Sequence, residues 1–395
     1  MKKSYLTAAI IASLAASAVI GACVSPDIAA FFTPLGTIYV NLIKMVMVPL
    51  VFTSLVLGIS SISDVKKVGR LGASTVGIFL LTTASAVVIG LVLSNIFQPG
   101  TGIAVGNASY EAKEFPSLLD NFVGIFPSNV LEALLSANML QIIFVAVVVG
   151  LSMVKILPKG GSFRGLMEDV FDIAVVITNG VMMLTPLGIL GLMVPTVAAN
   201  GIQVLLPLGK LILVFYLGVV IHVGVTYCLS LKCFSEFSIK EFFRSMFPAQ
   251  TVAFVSCSSA AALPVSMERI QSNLKVSKEV SGFVLPLGAT INMDGNALYQ
   301  GIVALFVAQA YGIDLPLSMQ AMVVITGTLA SIGAAGVPGA GMIVLSTVLA
   351  SAGLPVDGIA LVAGIDRILD MGRTFTNVTG DAVTACIVST QMKKH

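Results

Sequence analysis

Near the C-terminal end of the chain, Asp366, Asp370, Arg373, Asn377 and Asp381 recur at intervals of four, three, four and four within an otherwise apolar stretch. That spacing places all five on one face of a helix. If the stretch lies in a bilayer, as the composition below requires, each ionised group there costs at least about 2.5 kcal/mol. The stripe must therefore be paired, hydrated or bound to a ligand. A structural ion pair accounts for one Asp and one Arg, and Asp366 with Arg367 alone could be no more than that. It does not account for three carboxylates and an amide around one guanidinium.

A second cluster lies in Gly288-Ala-Thr-Ile-Asn-Met-Asp-Gly-Asn296. Gly288 and Gly295 loosen a helix there and free carbonyl oxygens at the depth of a carboxylate and an amide. Hard cations require such oxygen shells, and broken helix ends add their dipoles. Asn292 and Asp294, facing Asn377 and Asp381, would form a cation cage between two helices; a plainer reading has the Asn side chains capping a kink.

The elements that hold these clusters are read from composition. The 395 residues are 57% hydrophobic and 10% charged, against about 25% charged in soluble domains, so the chain is expected in a bilayer as one domain over 1–395. Apolar stretches of spanning length, about 20 residues, recur near 4–24, 35–60, 71–97, 137–157, 170–197 and 203–230, with two more, polar in the middle, near 280–310 and 357–390. The first could imitate a signal peptide ending at Cys23, but its length and the spans that follow favour a helix. Most of the 21 Lys and Arg fall in alternate connections or at the ends, such as Lys66, Lys67, Lys155, Lys159, Lys232, Arg269 and Lys394. Asp27, Glu111, Glu114, Asp120, Asp314 and Asp357 fall in the others. The positive-inside rule then predicts cytoplasmic termini in a multi-pass protein of the cell (inner) membrane.

Two further segments, 249–264 and 326–341, are apolar but broken by Ser, Gly, Ala and Pro. Bare backbone at membrane depth is tolerated only inside protein or beside water, so both are predicted to be re-entrant hairpins. They superpose as Cys257-Ser-Ser-Ala-Ala-Ala-Leu-Pro264 on Ser331-Ile-Gly-Ala-Ala-Gly-Val-Pro338, and each precedes a polar helix centre. Such interrupted segments in corresponding halves mark a transporter's binding site, although packed Gly/Ala-rich helices would share the composition. The expected fold class is an all-α polytopic membrane protein of eight transmembrane helices plus two re-entrant helical hairpins, arranged as inverted repeats.

Other residues carry less. His222, alone on an apolar helix, reads as a hydrogen-bonded packing residue rather than a proton carrier. Cys257, Ser258 and His222 lack the spacing and orienting carboxylate of a peptidase triad. The five cysteines have no paired metal spacing. No basic patch with interleaved aromatics suggests nucleic acid, and no enzyme activity is expected.

Together, Ser256-Cys-Ser-Ser259, Asn292-Met-Asp-Gly295, Gly336-Val-Pro-Gly339 and Asp370-Met-Gly-Arg-Thr-Phe-Thr-Asn377 with Asp381 resemble the dicarboxylate/amino acid:cation symporter family, the glutamate/aspartate transporters. The resemblance implies that Arg373 pairs with the side-chain carboxylate of an acidic amino acid and Asp370 with its amino group, within a substrate set of Ser258, Ser259, Asn296, Val337, Gly341, Asp370, Arg373, Thr374 and Asn377. It implies about three sodium ions. One site would form from Gly288, Asn292, Asn377 and Asp381; a second from Thr290 with Ser331, Ile332 and Ala334; a third from Thr82, Thr83, Asn292, Asp294 and the carbonyl of Phe79. It further implies a homotrimer working as an elevator. The scaffold would be about 1–70 and 130–200. The moving part would be about 71–100 and 203–392, with hairpins about 241–270 and 317–350.

The sequence departs from the family pattern in three places. Asn296 stands where Thr is usual, Cys257 replaces the Arg that some members carry on the first hairpin, and Met371 leaves the alternative Arg position empty. Arg367, three residues before Asp370, is a candidate to supply that charge. The resulting expectation is sodium-coupled symport of aspartate or glutamate in the lipid bilayer. Proton coupling or an amine-free dicarboxylate is the alternative within the family. An anion channel lacks the basic rings it would need.

Overall fold

The computed structural model describes residues 3–62, 70–103, 123–124, 126–136, 139–156, 161–201, 205–331 and 340–393. Among them every regular element is helical. Short turns of helix aside, in chain order these include α1 (Lys3–Cys23), α2 (Thr33–Ile62), α3 (Arg70–Phe97), α4 (Met139–Ile156), α5 (Ser162–Met183), α6 (Thr185–Asn200) and α7 (Leu205–Ile221). A π-helical stretch, His222–Cys228, carries α7 into α8 (Leu229–Phe234). Then follow α9 (Ile239–Ser256), α10 (Ser259–Ser272), α11 (Lys278–Ile291), α12 (Asp294–Ala310), α13 (Leu317–Ser331), α14 (Ala340–Ser351) and α15 (Asp366–Lys393).

Each predicted apolar stretch contains a helix. Among the described residues, Leu71–Phe97 and Leu206–Phe234 are long and apolar enough to cross a membrane by themselves. Large apolar side chains point outward from several helices, as Leu81 (74% exposed), Leu213 (72%) and Phe247 (67%) do. Water does not favour such a surface, whereas lipid does.

The structure breaks two stretches that were expected to be continuous. The stretch 170–197 divides at Leu184, where Pro186 opens α6; proline lacks the N–H that a continuing helix needs and is accommodated in a first turn. The stretch 357–390 divides into a short helix, Ile359–Ala363, and α15, with Gly364 and Ile365 between them. Asp366 therefore lies in the first turn of α15 rather than at a helix centre. That position favours a carboxylate, because unpaired backbone N–H groups carry the positive end of the helix dipole.

The segment 249–264 becomes a tight antiparallel pair, α9 and α10, packed on each other. Cys257 turns the chain with φ 52°, and Ser258 caps α10 by accepting a hydrogen bond from the Ala261 N–H at 3.2 Å. Helices α13 and α14 also pack together; the connection between them, 332–339, lies outside the described residues. The centre of the molecule is α12, in which every residue except Gln309 is buried. It packs on α3, α13 and α15. Glycines allow the contact with α3: a Cβ on Gly90 would fall 2.6 Å from the Leu298 carbonyl, and one on Gly301 would fall 2.6 Å from that of Val87. Helix α1 packs on α6, and α2 packs on α4, α5 and α6.

Candidate functional site

The site lies where α15 passes the break between α11 and α12. Asn292 (φ −97°, ψ 80°) and Met293 (φ −107°, ψ 56°) leave helical geometry, and Asp294 opens α12. The predicted loosening is therefore present, centred on Asn292–Met293 between the two glycines. Gly295 is required by packing: a Cβ there would lie 2.2 Å from the Arg373 carbonyl oxygen. Its N–H donates to Asn377 Oδ1 at 2.7 Å, and Asn377 Nδ2 contacts Met293 Sδ at 3.1 Å. Asn377 thus binds the broken segment to α15.

Arg373 is fully buried. Its Nε donates to Asp370 Oδ1 at 3.2 Å, and its guanidinium lies over the Tyr299 ring, 4.3 Å from the centroid. Nη2 stands 2.9 Å from Asp366 Oδ1 and 3.0 Å from Asp370 Oδ1, yet neither approach has hydrogen-bond direction. Nη1 has no hydrogen-bond partner among the described residues. It points at Gly341, where a Cβ would lie 2.5 Å away and 3.1 Å from Asn296 Oδ1. A buried guanidinium with an unpartnered donor is suited to a carboxylate. Asp366 pairs with Arg373, whereas Arg367 donates through Nη2 to the Val255 carbonyl at 3.4 Å. The charge proposed for Arg367 is therefore directed at the first hairpin tip.

Around Asp294 the donors are all oxygen or imidazole. Thr83 Oγ1 donates to Oδ1 at 2.6 Å and the Tyr227 hydroxyl to Oδ2 at 2.7 Å. His222 Nε2 lies 3.5 Å from Oδ2. The Tyr227 hydroxyl also reaches the Thr376 carbonyl at 3.1 Å. Thr82 Oγ1 donates to the Phe79 carbonyl at 3.1 Å and reaches Asn292 Oδ1 at 3.4 Å. One turn further along α15, Asn292 Nδ2 donates to Asp381 Oδ1 at 3.0 Å, and a Cβ on Gly288 would lie 2.3 Å from that same oxygen. The missing methyl lets the α11 backbone close on a buried carboxylate, the hard anionic oxygen ligand that a coordinated cation requires.

The structure thus gathers Phe79, Thr82, Thr83, Gly288, Asn292, Asp294, Asn377 and Asp381 about one helix break, and Asn296, Gly341, Asp370 and Arg373 beside it. Ser258, Ser259 and Thr374 are buried. Thr290 is not drawn in: it is exposed, and its hydroxyl bonds back to the Leu287 carbonyl at 2.9 Å. Ser331 Oγ is directed at Gln300 Oε1, 3.5 Å away. Ile332, Ala334 and Val337 lie outside the described residues. His222 and Tyr227 were not foreseen at the site. Their one sequence signal is polarity within an apolar helix, and the π-helical stretch that turns both toward Asp294 is a feature common at functional sites.

The chain matches the sodium:dicarboxylate symporter family over residues 6–391. It is 37% identical over 401 aligned residues to a proton/sodium-glutamate symport protein of Geobacillus stearothermophilus, an alignment covering 98% of this chain and 95% of that one. It is 33% identical to a proton/glutamate-aspartate symporter of Escherichia coli strain K12, covering 90% of this chain and 84% of that one. A match across nearly the whole length, joined to a guanidinium and buried carboxylates gathered at a broken helix, places this chain in the sodium:dicarboxylate symporter family.

Proposed function

We propose that the chain is a membrane symporter for an acidic amino acid, glutamate or aspartate, driven by sodium ions. One observation carries the reading: Arg373 is fully buried, and its Nη1, set against Gly341, has no hydrogen-bond partner among the described residues. The substrate's side-chain carboxylate takes that nitrogen, and Asp370 takes its ammonium. Ser259, Asn377 and the backbone near Gly341 receive the α-carboxylate. The names of the relatives, glutamate and glutamate-aspartate symporters, support the same substrate class.

An acidic amino acid adds negative charge to a buried site that already holds Asp294 and Asp381, so cations must accompany it. The donor set fits sodium. Asp381 with Asn292, packed on Gly288, forms one candidate site, and Asp294 with the hydroxyls of Thr82 and Thr83 and the Phe79 carbonyl forms another. The family name supports sodium, while the names of the relatives also include protons. Packing of α1 with α6, and of α2 with α4, α5 and α6, is consistent with a scaffold against which α3, α7 to α15 and both hairpins move as an elevator. We further propose the eight-span topology with internal termini, the inverted repeats and the trimer.

Uptake of labelled glutamate and aspartate into proteoliposomes, with sodium and proton gradients imposed separately, tests this reading. Uptake driven by inward sodium is expected. Failure to accumulate either amino acid under any gradient would refute the substrate class, and uptake indifferent to sodium would refute the coupling ion.

A further inference from the structure

Arg373 is shared by two carboxylates, Asp366 and Asp370, and a substrate carboxylate would be the third acid on one guanidinium. Before substrate arrives, the three side chains carry a net single negative charge, and all three are buried. Resting on the substrate reading above, the amino acid adds one further negative charge. Its carboxylate takes Arg373, and Asp370 turns to the ammonium. Asp366 is then left without its cation. Among the described residues nothing else near it replaces that charge. Its neighbours on α15 are Asp370, Arg373 and Arg367, the last held on the Val255 carbonyl. The groups facing it from other elements are Tyr299 of α12, Tyr39 of α2 and Cys257 at the first hairpin tip, all neutral. The position of Asp366 in the first turn of α15 provides only the partial charge of a helix end. Its Oδ1 lies 2.9 Å from Nη2, so the ion pair with Arg373 is what compensates its charge.

We propose that Asp366 takes up one proton when the acidic substrate binds, and that this proton travels with it. The proton comes from water on the side where substrate loads. It adds to the carboxylate that Arg373 has released, keeping this part of the site at a single negative charge. On the other side the substrate leaves, Arg373 returns to Asp366, and the carboxyl gives its proton to water there. Sodium does not substitute, because the sodium candidates lie elsewhere: Asp294 at the start of α12, and Asp381 about four turns further along α15.

The test is calorimetric titration of the full chain in detergent with glutamate, at saturating sodium so that the cation sites are filled beforehand. Each titration is run in two buffers of different ionisation enthalpy and over a series of pH values. The wild-type chain is expected to absorb one proton per bound glutamate, and its affinity to fall tenfold per pH unit in that range, since a group protonated only in the complex weakens binding as pH rises. Asp366→Asn is expected to bind with no proton uptake and a flat pH profile, and Asp366→Glu to restore both. Glutamate binding to wild type without proton uptake overturns the proposal by itself, whatever the folding of the variants. Proton uptake unchanged in Asp366→Asn overturns it as well. A wild-type chain that binds neither glutamate nor aspartate overturns the substrate reading together with it.

Discussion

Gly341→Ala places a methyl carbon 2.5 Å from Arg373 Nη1 and 2.8 Å from Cζ. Ordinary contact begins near 3.4 Å, so the guanidinium must retreat by about 0.9 Å. It has little freedom to do so, since the Tyr299 ring lies 4.3 Å from Cζ and two carboxylates hold its other nitrogens. The same methyl would cover the Nη1 that a substrate carboxylate is proposed to reach. Loss of one hydrogen bond to a charged group corresponds to about 1.5–3 kcal/mol, a rise in Kd for glutamate of roughly 10- to 150-fold. Overpacking costs about 1–3 kcal/mol of stability. Calorimetric Kd values for glutamate and aspartate in saturating sodium, with a thermal melt beside them, measure both effects. A variant that binds glutamate with wild-type affinity while remaining folded would show that the substrate does not use this face of Arg373.

Three further variants probe the surrounding residues. Gly288→Ala drives a Cβ to 2.3 Å from Asp381 Oδ1; sodium binding measured without substrate should weaken at least tenfold, and an unchanged sodium isotherm would remove Asp381 from the cation sites. Tyr227→Phe deletes a hydroxyl shared by Asp294 and the Thr376 carbonyl. At about 1.5–3 kcal/mol for a hydrogen bond to a charged group, the sodium-free protein should melt several degrees lower, and equal melting temperatures would show that the contact contributes nothing. Asp370→Asn should cost glutamate at least tenfold in affinity while sparing an amine-free dicarboxylate such as succinate. Equal losses for both would contradict an ammonium-binding role for Asp370.

Much of the site was legible because its signals are local. The stripe from Asp366 to Asp381 follows from helical spacing, and the break at Asn292–Met293 follows from Gly288 and Gly295 beside polar side chains. The serine-rich tip of the first hairpin is local too: Ser258 caps the helix that follows it. What proved illegible depends on how distant segments meet. His222 and Tyr227 reach Asp294 across 72 and 67 residues, and a lone histidine in an apolar helix has no spacing partner to give it away. Thr82 and Thr83 came from resemblance alone, since two threonines in α3 carry no pattern of their own.

By itself the sequence determined a helical chain for a bilayer, a segment at 249–264 that could not be an ordinary helix, and one helix face whose charges demanded partners. Solvation fixes those outcomes residue by residue, because apolar length, helix-breaking residues and buried charge each have a cost that needs no knowledge of neighbours. Only the tertiary structure decided which partners the charges receive. It gave Arg373 to Asp366 as well as Asp370, turned Arg367 to the hairpin tip, and set Gly341 against the guanidinium. Such choices turn on separations of an ångström or less between helices far apart in the chain, and spacing along one helix does not encode them.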